Sequence, residues 1–365
     1  MRTLFRSVLA LAMILSSSNL LTAQLLPSFG DSRTGTSGMQ FLKIAPDARS
    51  MGMAGAYTAI VDDLSAVYWN PAGLTGLDSS RLHAQLGYTE YFAGIGMQFG
   101  AAAYRLSPNT VIAGGLVYLN SGDMDVTTEF QPLGTGQTFQ TADMGLSATL
   151  ASQLTERFSF GVTARYVNER IASVSTHNAV FDFGFQYDIG LANTRFAVGF
   201  SNFGFNTSPA GEIEVTGVEG SQMVTDFEEI SIPAVFRLGL AWDPIRNDWH
   251  RFTVAAQLNH PTDNNETYGL GLEYAWRSLM VVRAGYLFGQ DQGSLPSAGF
   301  GVWLPKRYGR MRLDYGFSHH ARLGSVHRLG LGVSIIDKAF KPRGDRGDTP
   351  AAPLNGENGD SGAER

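Results

Sequence analysis

The stretch Phe181-Asp182-Phe183-Gly184-Phe185-Gln186-Tyr187-Asp188 decides the fold. An aromatic side chain stands at every second position, and a small or polar residue stands between each pair. A period of two belongs to an extended strand, whose successive side chains point to opposite faces. One face of this strand is therefore greasy and the other wet. Outward from it the pattern recurs. Tyr268, Leu270, Leu272, Tyr274 and Trp276 alternate with Gly269, Gly271 and Glu273, and Met311, Leu313, Tyr315 and Phe317 alternate with Arg312, Asp314 and Gly316. Fourteen such segments lie between Arg81 and Ile336, near 82–88, 95–104, 110–120, 144–153, 158–169, 179–189, 195–203, 234–242, 252–259, 267–276, 280–288, 297–304, 311–318 and 326–335. One alone would suit a soluble sandwich. The series predicts an all-β protein, a transmembrane antiparallel β-barrel of about 14 strands.

Connection lengths test this independently. Those after even-numbered segments are short, such as Ser107-Pro108-Asn109 and Arg277-Ser278, and the two longest, Ser121 to Asp143 and Gly204 to Pro233, follow odd-numbered ones. The short connection near Glu90 is the exception. Bacterial barrels have short periplasmic turns and longer external loops, so both termini are expected to be periplasmic. Tyr104, Tyr118, Tyr166, Trp242, Trp249, Trp276, Trp303 and Tyr308 fall near strand ends, where interfacial girdles are expected.

Composition agrees. Charged residues are only 16%, against about 25% in soluble domains. The net charge of −6 argues against a nucleic-acid partner. The chain has no Cys, which excludes disulfides, thiolate catalysis and thiolate-held metals. Arg2 and Arg6 precede a short apolar run, Val8 to Leu15, and a cleavage site after Ala23. Residues 1–23 thus read as a signal peptide, too short to span a membrane. Residues 337–365, rich in Pro, Gly, Asp and Ala, read as a disordered periplasmic tail. Between them lie an N-terminal hatch or plug segment, 24–80, and the barrel, 81–336, in the outer membrane.

The hatch segment carries the densest local signals, from Ser37 to Ser80. Asp62 or Asp63 can cap a short helix running to Tyr68. Asn70, disfavoured in a helix by the following Pro71, can cap a new turn with Pro71 at its first position. Gly52, Ala54, Gly55 and Ala56 permit close packing against a wall.

Three runs in this chain, Phe41 to Arg49 (FLKIAPDAR), the Gly/Ala/Met stretch after it and Tyr68 to Leu74 (YWNPAGL), resemble the PorV/PorQ family, a branch of the FadL-like outer-membrane barrels. His327-Arg328-Leu329-Gly330-Leu331-Gly332 is similar to that family's closing strand. The resemblance implies a fourteen-stranded barrel with an N-terminal lumenal hatch. Pro46, Asp47, Arg49 and Gly52 form one hatch motif, and Asn70, Pro71, Ala72 and Gly73 the other. It also implies a non-enzymatic role in type IX protein secretion. External loops would bind secreted cargo through its C-terminal signal domain, or the sortase and translocon components, beside outer-membrane lipid. The residues following Ile336 depart from the family pattern. Asn70-Pro71-Ala72 is also shared with FadL-like fatty-acid channels, so uptake of hydrophobic small molecules is the alternative.

Arg165, Asp182, Asp188, Arg237, Glu273, Arg283, Arg312, Asp314 and Arg328 read as inward-facing, because an Arg on the lipid face near mid-membrane costs roughly 2–4 kcal/mol. Mixed signs at similar heights predict a lumenal charge network rather than a conduit. For catalysis, His177, His319 and His320, with Ser318 and Asp314, are the candidates in the sequence. None forms a known nucleophile or metal motif, so no cofactor, metal or catalytic residue is expected.

Overall fold

A computed structural model describes residues 35–217, 220–289, 296–306, 309–320 and 322–335. The leader, the tail, Tyr308 and the tip at 290–295 lie outside the described residues.

Alternation becomes strand wherever it was expected. In chain order the strands are β1 (Leu82–Glu90), β2 (Gly96–Ser107), β3 (Thr110–Asn120), β4 (Met124–Asp125), β5 (Thr138–Phe139), β6 (Thr141–Gln153), β7 (Phe158–Ile171), β8 (Val174–Asp188), β9 (Thr194–Gly204), β10 (Ile213–Gly217), β11 (Gly220–Val224), β12 (Val235–Arg246), β13 (His250–Pro261), β14 (Thr267–Trp276), β15 (Met280–Phe288), β16 (Ser297–Lys306), β17 (Gly309–His320) and β18 (Gly324–Ile335). Fourteen of them close into one antiparallel barrel, each hydrogen-bonded to its sequence neighbour, with β1 joined to β18 from Leu82↔Ile335 to Glu90↔His327. Closure leaves no unpaired edge, the condition for strands to cross a bilayer. The pairs β4–β5 and β10–β11 are small hairpins within the two longest connections.

The connections sort by barrel end. One end carries the short turns, together with the start of β1 and the finish of β18. The other carries both long loops. The connection from β7 to β8 departs from expectation. β8 begins at Val174, five residues before the alternation is clear, leaving only Ala172 and Ser173 as the turn. Ladder pairing from Thr141↔Ile171 and Ile171↔Val174 carries β6, β7 and β8 past the apolar band, where polar outward residues no longer mark a strand by hydropathy.

Two corrections concern faces. Met97 and Phe99 of β2 and Val111 and Leu119 of β3 are buried on the lumen side, so the lumen is not polar throughout. Trp303, expected in an outward girdle, has the lumen-side parity of β16 beside Gly301 and its indole Nε1 is buried. An odd number of positions separates it from the outward Phe300 and Leu304, so no rotamer carries it to the lipid side.

The described part of the segment before β1 lies inside the cylinder. It makes a 3₁₀ turn (Gln40–Lys43), two single-turn α-helices (Ala48–Met51 and Ala66–Trp69) and a longer 3₁₀ stretch (Pro71–Gly76). Its Tyr57, Ile60, Val61, Leu64, Val67, Trp69 and Leu74 form one apolar cluster with Phe99, Ala103, Val111, Ala113 and Ala151 of the wall. Met39, Phe41 and Leu42 form a second with Met97, Leu119, Val167 and Val180.

Candidate functional site

The two motifs of the N-terminal segment are joined by the Trp69 indole. Asp47 ends extended backbone and caps the helix at Ala48, accepting from the Ser50 amide at 2.8 Å and from Ser50 Oγ at 2.8 Å. The same carboxylate accepts Trp69 Nε1–H at 2.8 Å. Asp63 is not the N-cap of the helix at 66–69. Ser65 holds that position, and Asp63 accepts from the Ser65 amide at 2.9 Å, one step earlier. Ser65 Oγ donates to the same oxygen.

Asn70 lies at the junction. It is fully buried and extended at φ −163°, as the following proline requires. Its Oδ1 accepts from the Ala72 amide at 3.2 Å, capping the turn that Pro71 opens. Its Nδ2 donates to the Phe185 carbonyl of β8 at 3.1 Å and to the Thr58 carbonyl at 3.3 Å. One amide thus satisfies both the segment and the wall. Ala72 is fully buried, and Gly73 sits where a Cβ would lie 2.6 Å from the Val61 carbonyl oxygen.

The wall meets this segment with glycine. A Cβ on Gly161 of β7 would fall 2.6 Å from the Pro71 carbonyl carbon, and one on Gly184 of β8 would overlap the Asn70 amide. On the opposite side Gly271 and Gly285 seat Met53, and Gly299 meets Gly52. The small residues of the segment are therefore answered by small residues of the barrel. Gln257 accepts from the Tyr57 and Thr58 amides at 2.9 and 2.8 Å, and Gln186 donates to the Thr58 and Val61 carbonyls at 3.1 and 3.2 Å. Sequence reasoning missed these docking residues. Their one signal was Gly or Gln at the lumen parity of otherwise aromatic strands.

The charged residues separate into groups. Arg49, buried at 2% exposure, donates to Glu273 through Nε at 3.0 Å and Nη2 at 3.1 Å and pairs with Asp62. Glu273 also accepts from Arg283 at 2.8 Å and Arg251 at 3.2 Å. Arg283 continues to Asp314 at 2.8 Å, and Arg312 links Asp314 at 2.6 Å back to Asp63 at 2.8 Å. The circuit joins the segment to β13, β14, β15 and β17. A second group pairs Arg165 with Asp182 at 2.7 Å, while Arg165 also donates to the Val67 carbonyl at 3.0 Å. Arg237 faces the lumen with no carboxylate partner among the described residues. It donates to Ser201 and lies over the rings of Tyr68 and Trp69, 5.4 and 5.1 Å from their centroids. Arg328 donates to Ser318 at 3.1 Å and the Ala45 carbonyl at 3.4 Å, again without a carboxylate. Asp188 is outside every group. It ends β8 at the rim, is exposed, and among the described residues its carboxylate accepts from the Gly190 amide alone.

Beyond Asp62 and Asp63 towards the short-turn end lies a cavity of about 1100 Å³, lined by Asp78, His83, Arg105, Glu156, Arg195, Arg246, Arg310 and Trp303 among others. Among the described residues no cluster of three or more metal-ligating side chains occurs. His319 and His320 point to opposite sides of β17. His319 bonds Ser325, and His320 packs near Tyr91 and Phe92.

The fold, a closed fourteen-stranded barrel with a folded N-terminal segment in its lumen, is similar to that of solved FadL-like outer-membrane barrels. The chain aligns with the toluene transporter TodX of Pseudomonas putida at a TM-score of 0.58 and 14% identity, covering 80% of this chain and 98% of that one. A FadL homologue of Pseudomonas aeruginosa aligns at 0.50 and 12% identity, covering 85% and 98%. At such identities the likeness is one of fold. The chain itself belongs to the family of the type IX secretion system protein PorV, whose sequence profile matches residues 28–263. No curated protein matches it in sequence.

Proposed function

We propose that this protein is a non-enzymatic component of type IX secretion that holds secreted cargo, the surface sortase complex or both on its long-loop end. In this reading that end faces the cell exterior, both termini are periplasmic, and residues 24–80 are a hatch that keeps the lumen shut. The carrying observation is the chemistry of the two long loops. Residues 121–140 contain Asp123, Asp125 and Glu129, residues 205–234 contain Glu212, Glu214, Glu219, Asp226, Glu228 and Glu229, and neither has a Lys or Arg. Among these acids stand Phe130 at 80% exposure, Leu133 at 99% and Phe205 at 74%. Exposed apolar anchors within a single-sign field suit a protein partner with a cationic rim. Family membership supplies the pathway.

The FadL-like channel reading rests on the fold. It needs a continuous apolar route, whereas here ion pairs and two apolar clusters occupy the middle of the lumen, and the cavity at the short-turn end carries charged residues of both signs in its lining. Deleting the gene and restoring it with Phe130→Ser/Leu133→Ser tests the proposal. We expect cargo bearing the pathway's C-terminal signal to stay unprocessed in both strains and to be processed with the wild-type gene. Normal surface attachment of cargo in the deletion strain would end this reading, and hydrocarbon uptake lost with the deletion would favour the channel.

A further inference from the structure

The outer wall carries a polar device that neither the lumen nor the loops use. On β8 the outward positions run Ala179, Phe181, Phe183, Phe185 and Tyr187, and above them stands His177. On β18 they run Leu329, Leu331, Val333 and Ile335, and above them stands His327. At the short-turn end His250 opens β13, beside Trp276 of β14. Each of these three histidines sits at an edge of the apolar band.

Each is also clasped in the same way by a tyrosine of the neighbouring strand. The Tyr166 hydroxyl lies 2.6 Å from His177 Nδ1, that of Tyr274 2.7 Å from His250 Nδ1, and that of Tyr315 2.8 Å from His327 Nδ1. The first two pairs are stacked, with interplanar angles of 24° and 20°, and the third is tilted at 36°. At His177 the amide Nδ2 of Asn168 lies 3.0 Å from the same Nδ1. An amide nitrogen only donates, so Nδ1 accepts there and the ring proton rests on Nε2. In the other two pairs the tyrosine hydroxyl can donate to Nδ1, and the ring proton then rests on Nε2 in the same way. Among the described residues no hydrogen-bond partner meets Nε2 of any of the three.

An arginine accompanies two of the pairs. Arg170 is two residues beyond Asn168 on the same face of β7. Arg277 lies over the Trp249 ring at 3.6 Å, in the turn next to His250 and Trp276. Arg322, in the turn joining β17 to β18, lies beyond the Gly324–His320 rung, too far along the ladder to adjoin the third pair. An N–H donor facing hydrocarbon would be costly, whereas one at the level of the headgroups meets phosphate oxygens. A charged partner makes that bond about twice as strong as a neutral one.

We propose that the pairs Tyr166–His177, Tyr274–His250 and Tyr315–His327 are binding sites for the phosphoryl headgroups of membrane lipids, each imidazole donating from Nε2 and, at the first two, the adjacent arginine supplying charge. Their position on the lipid-facing wall selects a bilayer lipid over a free anion.

The whole purified protein in detergent, titrated with palmitoyl-oleoyl phosphatidylglycerol and read by native mass spectrometry, tests this. The wild type should retain phosphatidylglycerol and release dioleoylglycerol, which lacks the phosphate. His177→Leu/His250→Leu/His327→Leu should weaken retention at least tenfold, and the corresponding Gln substitutions, which keep an N–H donor, should restore most of it. Gel mobility before and after boiling reports folding. If the Leu protein fails to fold, Tyr166→Phe/Tyr274→Phe/Tyr315→Phe, which frees the tautomer and keeps the rings, should weaken retention at least threefold. Equal retention by the folded variants and the wild type overturns the proposal, as does equal retention of dioleoylglycerol. Displacement of the lipid by millimolar inorganic phosphate would show a free-anion site instead and overturns it too.

Discussion

The two halves of the lumen hold the same segment by opposite means. Against β2, β3, β6, β7 and β8 the contact is an apolar cluster, in which Leu74, Val67 and Trp69 meet Phe99, Val111 and Ala151, tied by hydrogen bonds from Asn70, Arg165 and Gln186. Against β13, β14, β15 and β17 it is a closed circuit of four arginines and four carboxylates. The apolar half tolerates loss in proportion to the volume removed, because neighbouring atoms relax. The ionic half does not, because removing one partner strands a buried charge.

The largest effect should therefore follow Glu273→Ala, which leaves Arg49, Arg283 and Arg251 without their shared anion. We expect a loss of about 3–5 kcal/mol, the range for breaking a buried pair, in urea unfolding from bilayers. Leu74→Ala in the apolar half should cost about 2–4 kcal/mol. A smaller cost for Glu273→Ala than for Leu74→Ala would break the contrast.

Acid should separate the halves next. Burial acts to raise the pKa of Asp63, but Arg312 and Arg49 outweigh it and hold the carboxyl well below the usual carboxylate range. Its contribution is then fully present above an unfolded value of about 3.9 and is lost as pH falls through the folded value. Tryptic cleavage at Arg49 should stay slow at pH 7 and become faster after incubation near pH 2, with the barrel still intact on an unboiled gel. Cleavage that does not change with acid would show that the apolar half alone retains the segment.

The smallest effect belongs outside the lumen altogether. Phe130→Ser/Leu133→Ser should leave stability within about 0.5 kcal/mol, since both side chains are exposed. A larger loss would mean that these loops fold back on the barrel.

Alternation made the wall legible because a lipid-facing strand must obey it. The Phe181–Tyr187 stretch is the clearest case, and the barrel's strand count and closing order follow from its repetition. Asn70 and Pro71 were legible too, since their backbone preferences are local. What stayed hidden was whatever depends on a partner distant in sequence. Arg49 meets Glu273 across more than two hundred residues, and nothing near either names the other. Met97 and Phe99 alternate as any lipid-facing pair would, and only the enclosed segment turns that face inward. The charges of Arg237 and Arg328 suggested carboxylate partners. The structure answers them with rings, hydroxyls and carbonyls, acceptors too common in sequence to be recognised.

The glycine seats carry a consequence for the order in which the molecule is made. Gly161 and Gly184 hold the Asn70–Pro71 backbone at distances that exclude a Cβ, and Gly271 and Gly285 grip Met53 from across the lumen. A folded plug gripped this closely on both sides cannot be slid endwise into a finished cylinder. If the segment folds before closure, the last stave, β18, meets the first, β1, around it, and the nascent wall acts as its mould.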